Sequence, residues 1–289
     1  MEKYFEIIKK IVKEQILDIK CISNTNNKVF KIRLESKNLY AKFYEGKSIH
    51  KDNELKLYDL IDNSLLKKVY YKEQDFAIFE ELTGKTLDEL SEDELKDNCK
   101  MIIDSICNYY SEMQNNKTNG YGILDENLNG KYSNFLEFLK ERQQNTSNTL
   151  KDYNELQITN LIFEKYSDII KQDNSLVPID TNFKNIMLQN DKTVKFVDPG
   201  EMISGPILMG YGDFVAHSYK TILYDELIFR LNLNEEDMKL LRIYAIFSSL
   251  NILAFLKNNG VDNLSEIIPY GNKYTFYELI KEHMKYLEL

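Results

Sequence analysis

The 289-residue sequence has only three cysteines, Cys21, Cys99 and Cys107, with no Cys-x-x-Cys pair among them. That argues against a disulfide framework and points to reduced thiols in a reducing compartment. Histidine is equally scarce: His50, His217 and His283 are too scattered to suggest a zinc site. Positive charge is the minority sign. Lys and Arg number 37 against 46 Asp and Glu, a formal net charge of −9, which argues against broad binding to a nucleic-acid backbone. No stretch approaches the ~18 apolar residues of a membrane span. The opening residues 1–6 lack the charged-then-apolar order of a signal peptide. A cytoplasmic monomer or dimer, off membranes and nucleic acid, is expected. No internal repeat or low-complexity linker divides the chain.

What is present is a globular composition: 43% hydrophobic and 29% charged residues, with aromatics along the whole length, which disfavours disorder. Apolar residues at 4, 5, 7, 8, 11 and 12 predict an amphipathic helix over 2–15. Strand-like runs follow at 16–23, 29–34 and 39–44, then a helix at 52–62 and strands at 65–71 and 76–82. Tight polar links between these strands predict an antiparallel sheet. Past Thr83-Gly84 the periodicity turns helical, at 93–114, 133–143, 153–171, 212–229, 235–258 and 275–287. Only 186–188 and 194–197 read as strands there, a hairpin around Gln189-Asn190-Asp191-Lys192. The expected architecture is α+β: a small antiparallel β-sheet lobe with a helix over 1–82, and a larger, mainly α-helical lobe over 83–289. A cleft between two such lobes is a common ligand site.

The densest polar signal lies at the predicted hairpin. Asp180 stands in Pro178-Ile179-Asp180-Thr181-Asn182-Phe183-Lys184-Asn185, and Asp198 follows the hairpin in Val197-Asp198-Pro199. A hairpin returns the chain near its start, so Asp198 can sit beside Asn185. Amide and carboxylate oxygens at that spacing suit Mg²⁺, and a carboxylate just ahead of them suits a group that takes a proton from a hydroxyl. Singly, Asp180 or Asn185 would read as a turn residue. The ordered set carries the argument.

That set resembles the protein-kinase-like fold, and most closely its small-molecule branch, the aminoglycoside phosphotransferase and choline kinase group. The Asp-Pro and Gly-Pro pairs, Asp198-Pro199 and Gly205-Pro206, are also similar to those of methylthioribose and streptomycin kinases. The resemblance implies a phosphotransferase using ATP or GTP with Mg²⁺, acting on a hydroxyl of a small molecule. It implies Asp180 as the acceptor-side base and Asn185 and Asp198 as metal ligands. It implies Asp213 as structural support for the catalytic loop. Lys42, in Tyr40-Ala41-Lys42-Phe43, resembles the third-strand lysine that meets the α- and β-phosphates, and Glu54 its ion-pair partner. The segment 22–32, ending its polar run at Asn27, resembles the nucleotide loop. The run 76–87 resembles the hinge, where the backbone of Glu80 and Leu82 would meet adenine.

Two departures from the pattern stand out. The group's His-Gly before the catalytic aspartate is Pro178-Ile179 here, and the nucleotide loop has no glycine, so its backbone would approach the phosphates less closely. The acidic chain and Glu201 near the metal segment favour an amine-bearing acceptor of the aminoglycoside type, with antibiotic resistance as the implied role. Choline, a thiosugar or another sugar alcohol stay open, as does a kinase-like binding module without turnover.

Overall fold

In the first lobe, side chains alternate across a twisted antiparallel sheet, so one face buries a core and the other faces the cleft. The computed structural model describes residues 1–24, 27–44, 49–61, 64–151 and 155–289. Strands β1 (Ile16–Asn24), β2 (Asn27–Leu34), β3 (Asn38–Tyr44), β4 (Val69–Glu73) and β5 (Phe76–Glu80) form one sheet in the order β1-β2-β3-β5-β4. Phe30, Ile32, Leu39, Ala41 and Phe43 bury one face. Helix α1 (Glu2–Ile11) covers it with Tyr4 and Ile8, the Tyr4 ring lying 4.8 Å from Phe43 and 5.6 Å from Phe30. Because the period is two, Lys42 falls on the opposite face, toward helix α2 (Ile49–Leu60). The first helix is shorter than its periodicity suggests: Val12 is already extended.

The second lobe holds α3 (Glu92–Asn115), α4 (Phe135–Thr149), α5 (Glu155–Tyr166), α6 (Leu208–Ser218), α7 (Ile222–Leu231), α8 (Glu235–Asn258) and α9 (Phe276–Tyr286). Several begin at side-chain caps. Ser91 and Glu94 bond reciprocally at the start of α3, and Asn234 accepts from the Asp237 N–H at the start of α8, each satisfying N–H groups the first turn leaves open. Helix α8 is long and apolar enough to cross a membrane by length and composition alone, which the count of uninterrupted apolar residues did not register. Its apolar window is 67% buried inside the protein, and Gly212 of α6 packs so closely that a Cβ there would lie 2.4 Å from Tyr244 Cβ. It is a core helix of this lobe.

The second lobe also has more strands than the two expected. Besides the predicted hairpin, β10 (Ile186–Gln189) and β11 (Val194–Phe196), it contains β6 (Gly84–Thr86), β7 (Tyr121–Leu124), β8 (Gly130–Tyr132), β9 (Ser175–Pro178) and β12 (Met202–Gly205). They form two small sheets, β11-β10-β6 and β8-β7-β12-β9. Each new strand is three or four residues long, too short for alternation to show in sequence. The expected helix over 212–229 is two helices. Lys220 takes a left-handed φ of 63° between them, while α6 starts earlier, at Leu208. The strand expected at 65–71 starts at Val69 because Leu66 is used elsewhere: it bridges Phe196 of β11.

Candidate active site

Two short strands aim the central loop. Strand β9 pairs with β12, Pro178 opposite Met202, and the Ile179 N–H bonds the Glu201 carbonyl at 3.1 Å. Proline suits the end of a strand, where its missing N–H breaks no central ladder, so Pro178 stands where the family pattern has histidine without disrupting the pairing. The chain then turns through Asp180 and Thr181 into a single helical turn at Phe183–Asn185, capped by Asn182, and enters β10. At its far end the hairpin returns to Asp198, and the Val197 N–H bonds the Asn185 carbonyl at 2.8 Å. Asp180, Asn185 and Asp198 thereby line one small cleft, with Glu201 at its edge.

Neutral donors hold Asp180. Asn182 Nδ2 donates to Oδ1 at 2.6 Å and Asn185 Nδ2 to Oδ2 at 2.8 Å. Burial pushes its carboxyl up to about 7, helped by the nearby charges of Asp213 and Glu201 and opposed by these amides. Asp213, on α6, is buried. It accepts from the Thr181 N–H at 2.9 Å and the Thr181 hydroxyl at 3.0 Å, and burial raises it to about 6 despite those bonds. Tyr110 of α3 completes the support, its hydroxyl bridging Thr181 Oγ1 at 2.8 Å and the Gly210 carbonyl at 2.9 Å. Neither Thr181 nor Tyr110 was singled out for the site by the sequence. Tyr110 carries an ordinary core signal, and a single threonine beside an aspartate carries none.

Ion pairs build the other side of the site and meet the cleft at Asp198. Lys42 Nζ lies 2.7 Å from Glu54 Oε2 and also contacts Asp198 Oδ1. Lys42 and Glu54 are 7% and 2% exposed, which excludes a lysine reaching to solvent and a solvated glutamate. Burial would lower the Lys42 pKa, but Glu54 and Asp198 outweigh it and raise it. Burial likewise opposes the charge on Asp198, and Lys42 brings its carboxyl below the usual range. A second lysine, Lys67, sits 3.8 Å from Glu54 Oε1. Burial holds its pKa below the usual lysine value, with Glu54 opposing that only in part and Lys42 adding to it. It fell in a run read as a plain strand.

The remaining expected residues flank this centre. Asn27 opens β2 opposite Tyr44 of β3, and the adjoining residues 25–26 of the nucleotide loop lie outside the described residues. Glu80 ends β5, its N–H bonded to the Lys68 carbonyl at 3.0 Å. Leu82 follows on the crossing to β6. Between them Glu81 gathers Lys31, Asn38 and Tyr40 at 2.7, 2.7 and 3.2 Å. Past the crossing, Gln189 of β10 accepts from the Thr83 N–H at 2.9 Å, tying this segment to the hairpin that carries Asn185.

No family model matches the sequence. No curated protein matches it either. Solved structures do. Aminoglycoside phosphotransferase APH(4)-Ia superposes with a TM-score of 0.66 at 13% identity, over 99% of this chain and 96% of that one. Choline kinase LicA from Streptococcus pneumoniae gives 0.64 at 16% identity, over 100% and 99%. ADP-bound APH(2'')-Ib gives 0.62 at 16%, over 99% and 96%. The chain has a protein-kinase-like fold. At these identities the likeness is one of fold, and it spans the full length of both lobes.

Within a protein-kinase-like fold the donor chemistry is suited to Mg²⁺. Among the described residues no three His, Cys, Asp or Glu side chains cluster as a metal site, so a cation here would lean on few protein oxygens. Asn185 Nδ2 is committed to the Asp180 carbonyl and carboxylate at 2.9 and 2.8 Å, leaving its amide oxygen as the donor atom. Asp198 supplies a carboxylate kept ionised by Lys42. Two hard oxygens with the remaining positions left to water and phosphate match what Mg²⁺ prefers.

Proposed function

We propose that this protein is an ATP-dependent phosphotransferase acting on a hydroxyl of a small molecule, an amine-bearing acceptor of the aminoglycoside type being favoured. The observation that carries the reading is the joining of Lys42, Glu54 and Asp198 by ion pairs at the cleft that Asp180 and Asn185 line. Glu54 would orient Lys42 toward the nucleotide phosphates. Asn185 and Asp198 would hold Mg²⁺, which when bound supplies positive charge against the triphosphate oxygens. Asp180 would accept the proton of the acceptor hydroxyl as its oxygen bonds to the γ-phosphorus and the bond to ADP breaks. A carboxylate titrating at about 7 is matched to that task near neutral pH. Thr181, Asp213 and Tyr110 would keep the loop fixed while this happens. Glu80 and Leu82 would meet the adenine of ATP, or the guanine of GTP, through their backbone.

The acceptor class follows from charge. Asp213 and Glu201 both act on Asp180 by charge. With Arg142 as the one guanidinium among the described residues that meets Asp213 and Glu201 by charge, three acidic groups against one cation favour a further cation in the cleft. APH(4)-Ia has been crystallised with hygromycin B and LicA is a choline kinase, two amine-bearing or ammonium ligands in proteins of this fold. The test is Mg-ATP consumption by the full chain across amino sugars, amino alcohols and neutral sugars. Turnover with an amine-bearing acceptor supports the proposal. ATP binding without turnover on any acceptor would favour the binding module that the glycine-free nucleotide loop and Pro178-Ile179 suggest.

A further inference from the structure

Lys67 belongs to none of the motifs above, yet it is buried beside their centre. It lies between α2 and β4, next to Leu66, which bridges Phe196, and the Phe196 N–H bonds the Leu65 carbonyl at 2.9 Å. The junction of the two lobes therefore fixes its backbone. Its side chain is 13% exposed, and its ammonium stands 3.8 Å from Glu54 Oε1 and 4.1 Å from the centre of the Phe79 ring. Lys42 occupies the other oxygen, Oε2, at 2.7 Å. One buried carboxylate thus faces two ammonium groups, one on each oxygen. Among the described residues Oε1 has no hydrogen-bonding partner, so Lys67 meets it by charge at longer range, with the ring face of Phe79 on its other side.

The charge count gives this arrangement a consequence. Lys42 and Lys67 are balanced by Glu54 and Asp198. With Asp198 engaged by a bound cation, Glu54 alone would serve both lysines, and one unit of positive charge would be left facing the cleft. Without Lys67, Glu54 would neutralise Lys42 as a simple pair. We infer that Lys67 is a positioning residue for the triphosphate, dividing the charge of Glu54 so that the Lys42 ammonium stays available to phosphate oxygens. The inference rests on the phosphotransferase reading.

Calorimetric titration of the full chain with Mg-ATP and with adenosine tests it. Lys67→Met weakens Mg-ATP binding by roughly tenfold or more and leaves adenosine affinity unchanged, while Lys67→Arg restores most of the loss. In a Glu54→Gln background the same Lys67→Met change costs less than about twofold, because coupled partners are not additive. If Lys67→Met does not fold, Lys67→Gln against Lys67→Arg reads the same ratio. Unchanged Mg-ATP affinity, an equal loss for adenosine, or full additivity with Glu54→Gln overturns the inference. A wild-type chain that binds neither ligand instead brings down the phosphotransferase reading itself, and is recognised as such because it needs no variant.

Discussion

The two walls of the cleft hold their polar groups in different ways. On the sheet side, Lys42, Lys67, Glu54 and Asp198 are matched by charge, and the Asp198 carboxyl sits below its usual range for that reason. On the helical side, Asp180 is held by two amides and Asp213 by the Thr181 hydroxyl and N–H, with Ser248 and the longer-range charge of Arg142 adding to the latter. These partners offset burial only partly, so both carboxyls are raised, to about 7 and about 6. Ion pairs are weakly directional and can change partners as a charged ligand arrives. Hydrogen bonds fix a geometry before it arrives. On the proposed function, the first wall would receive the phosphates and the second would position the acceptor.

The variant expected to separate the walls most sharply is Asp180→Asn. It removes the base and leaves the sheet side untouched, so turnover falls by roughly 10²–10⁴-fold while Mg-ATP affinity, read by calorimetry, holds. A parallel loss of nucleotide affinity would mean that the walls are not separable. Asp198→Ala attacks the other side. The metal-dependent part of ATP binding falls by roughly tenfold or more, and the fold survives because Asp198 packs in no hydrophobic core. Unchanged Mg²⁺ dependence would remove Asp198 from the metal site.

Smaller effects probe the support of the helical wall. Tyr110→Phe leaves the Gly210 carbonyl and Thr181 hydroxyl without their shared partner. The expected cost is about 1–3 kcal/mol of stability, seen as a lower melting temperature, with a modest loss of kcat and no change in ATP affinity. The smallest effect is one of pH. Because the Asp213 pKa is raised in the folded chain to about 6, the folded state holds its proton more tightly than the unfolded one. Its contribution to stability is therefore fully present below the ordinary aspartate value, about 3.9, and is lost as pH rises through 6. Asp213→Asn keeps an acceptor for Thr181 and cannot ionise. Its melting temperature relative to wild type should thus rise from about pH 4 to just above pH 6 and level off beyond. A constant difference would show that Asp213 keeps its charge throughout.

The sequence disclosed the two walls unequally. Asp180, Asn185 and Asp198 were legible because a hairpin fixes their spacing, whereas Lys42 and Glu54 were named only through the resemblance to the kinase-like group. The geometry agrees with those placements, while their roles are those proposed above. Lys67 was hidden, since its partner is chosen by the bridge between Leu66 and Phe196, a contact no local pattern encodes. Thr181 and Tyr110 meet only when α3 packs beneath the loop. The short strands β9 and β12, which aim that loop, are four residues each. Their pairing is decided by tertiary context rather than by propensity. The break between α6 and α7 was missed because its signal, a left-handed lysine, lacks the usual glycine.

The central claim is that phosphoryl groups leave ATP at this cleft for a hydroxyl that Asp180 deprotonates. Phosphorus NMR of the full chain with Mg-ATP and an amine-bearing acceptor tests it directly. The account predicts a new phosphomonoester signal growing with ADP in the wild type and almost none with Asp180→Asn. Equal product formation by both, or ATP bound indefinitely across the acceptor panel with no new phosphorus signal, would contradict it.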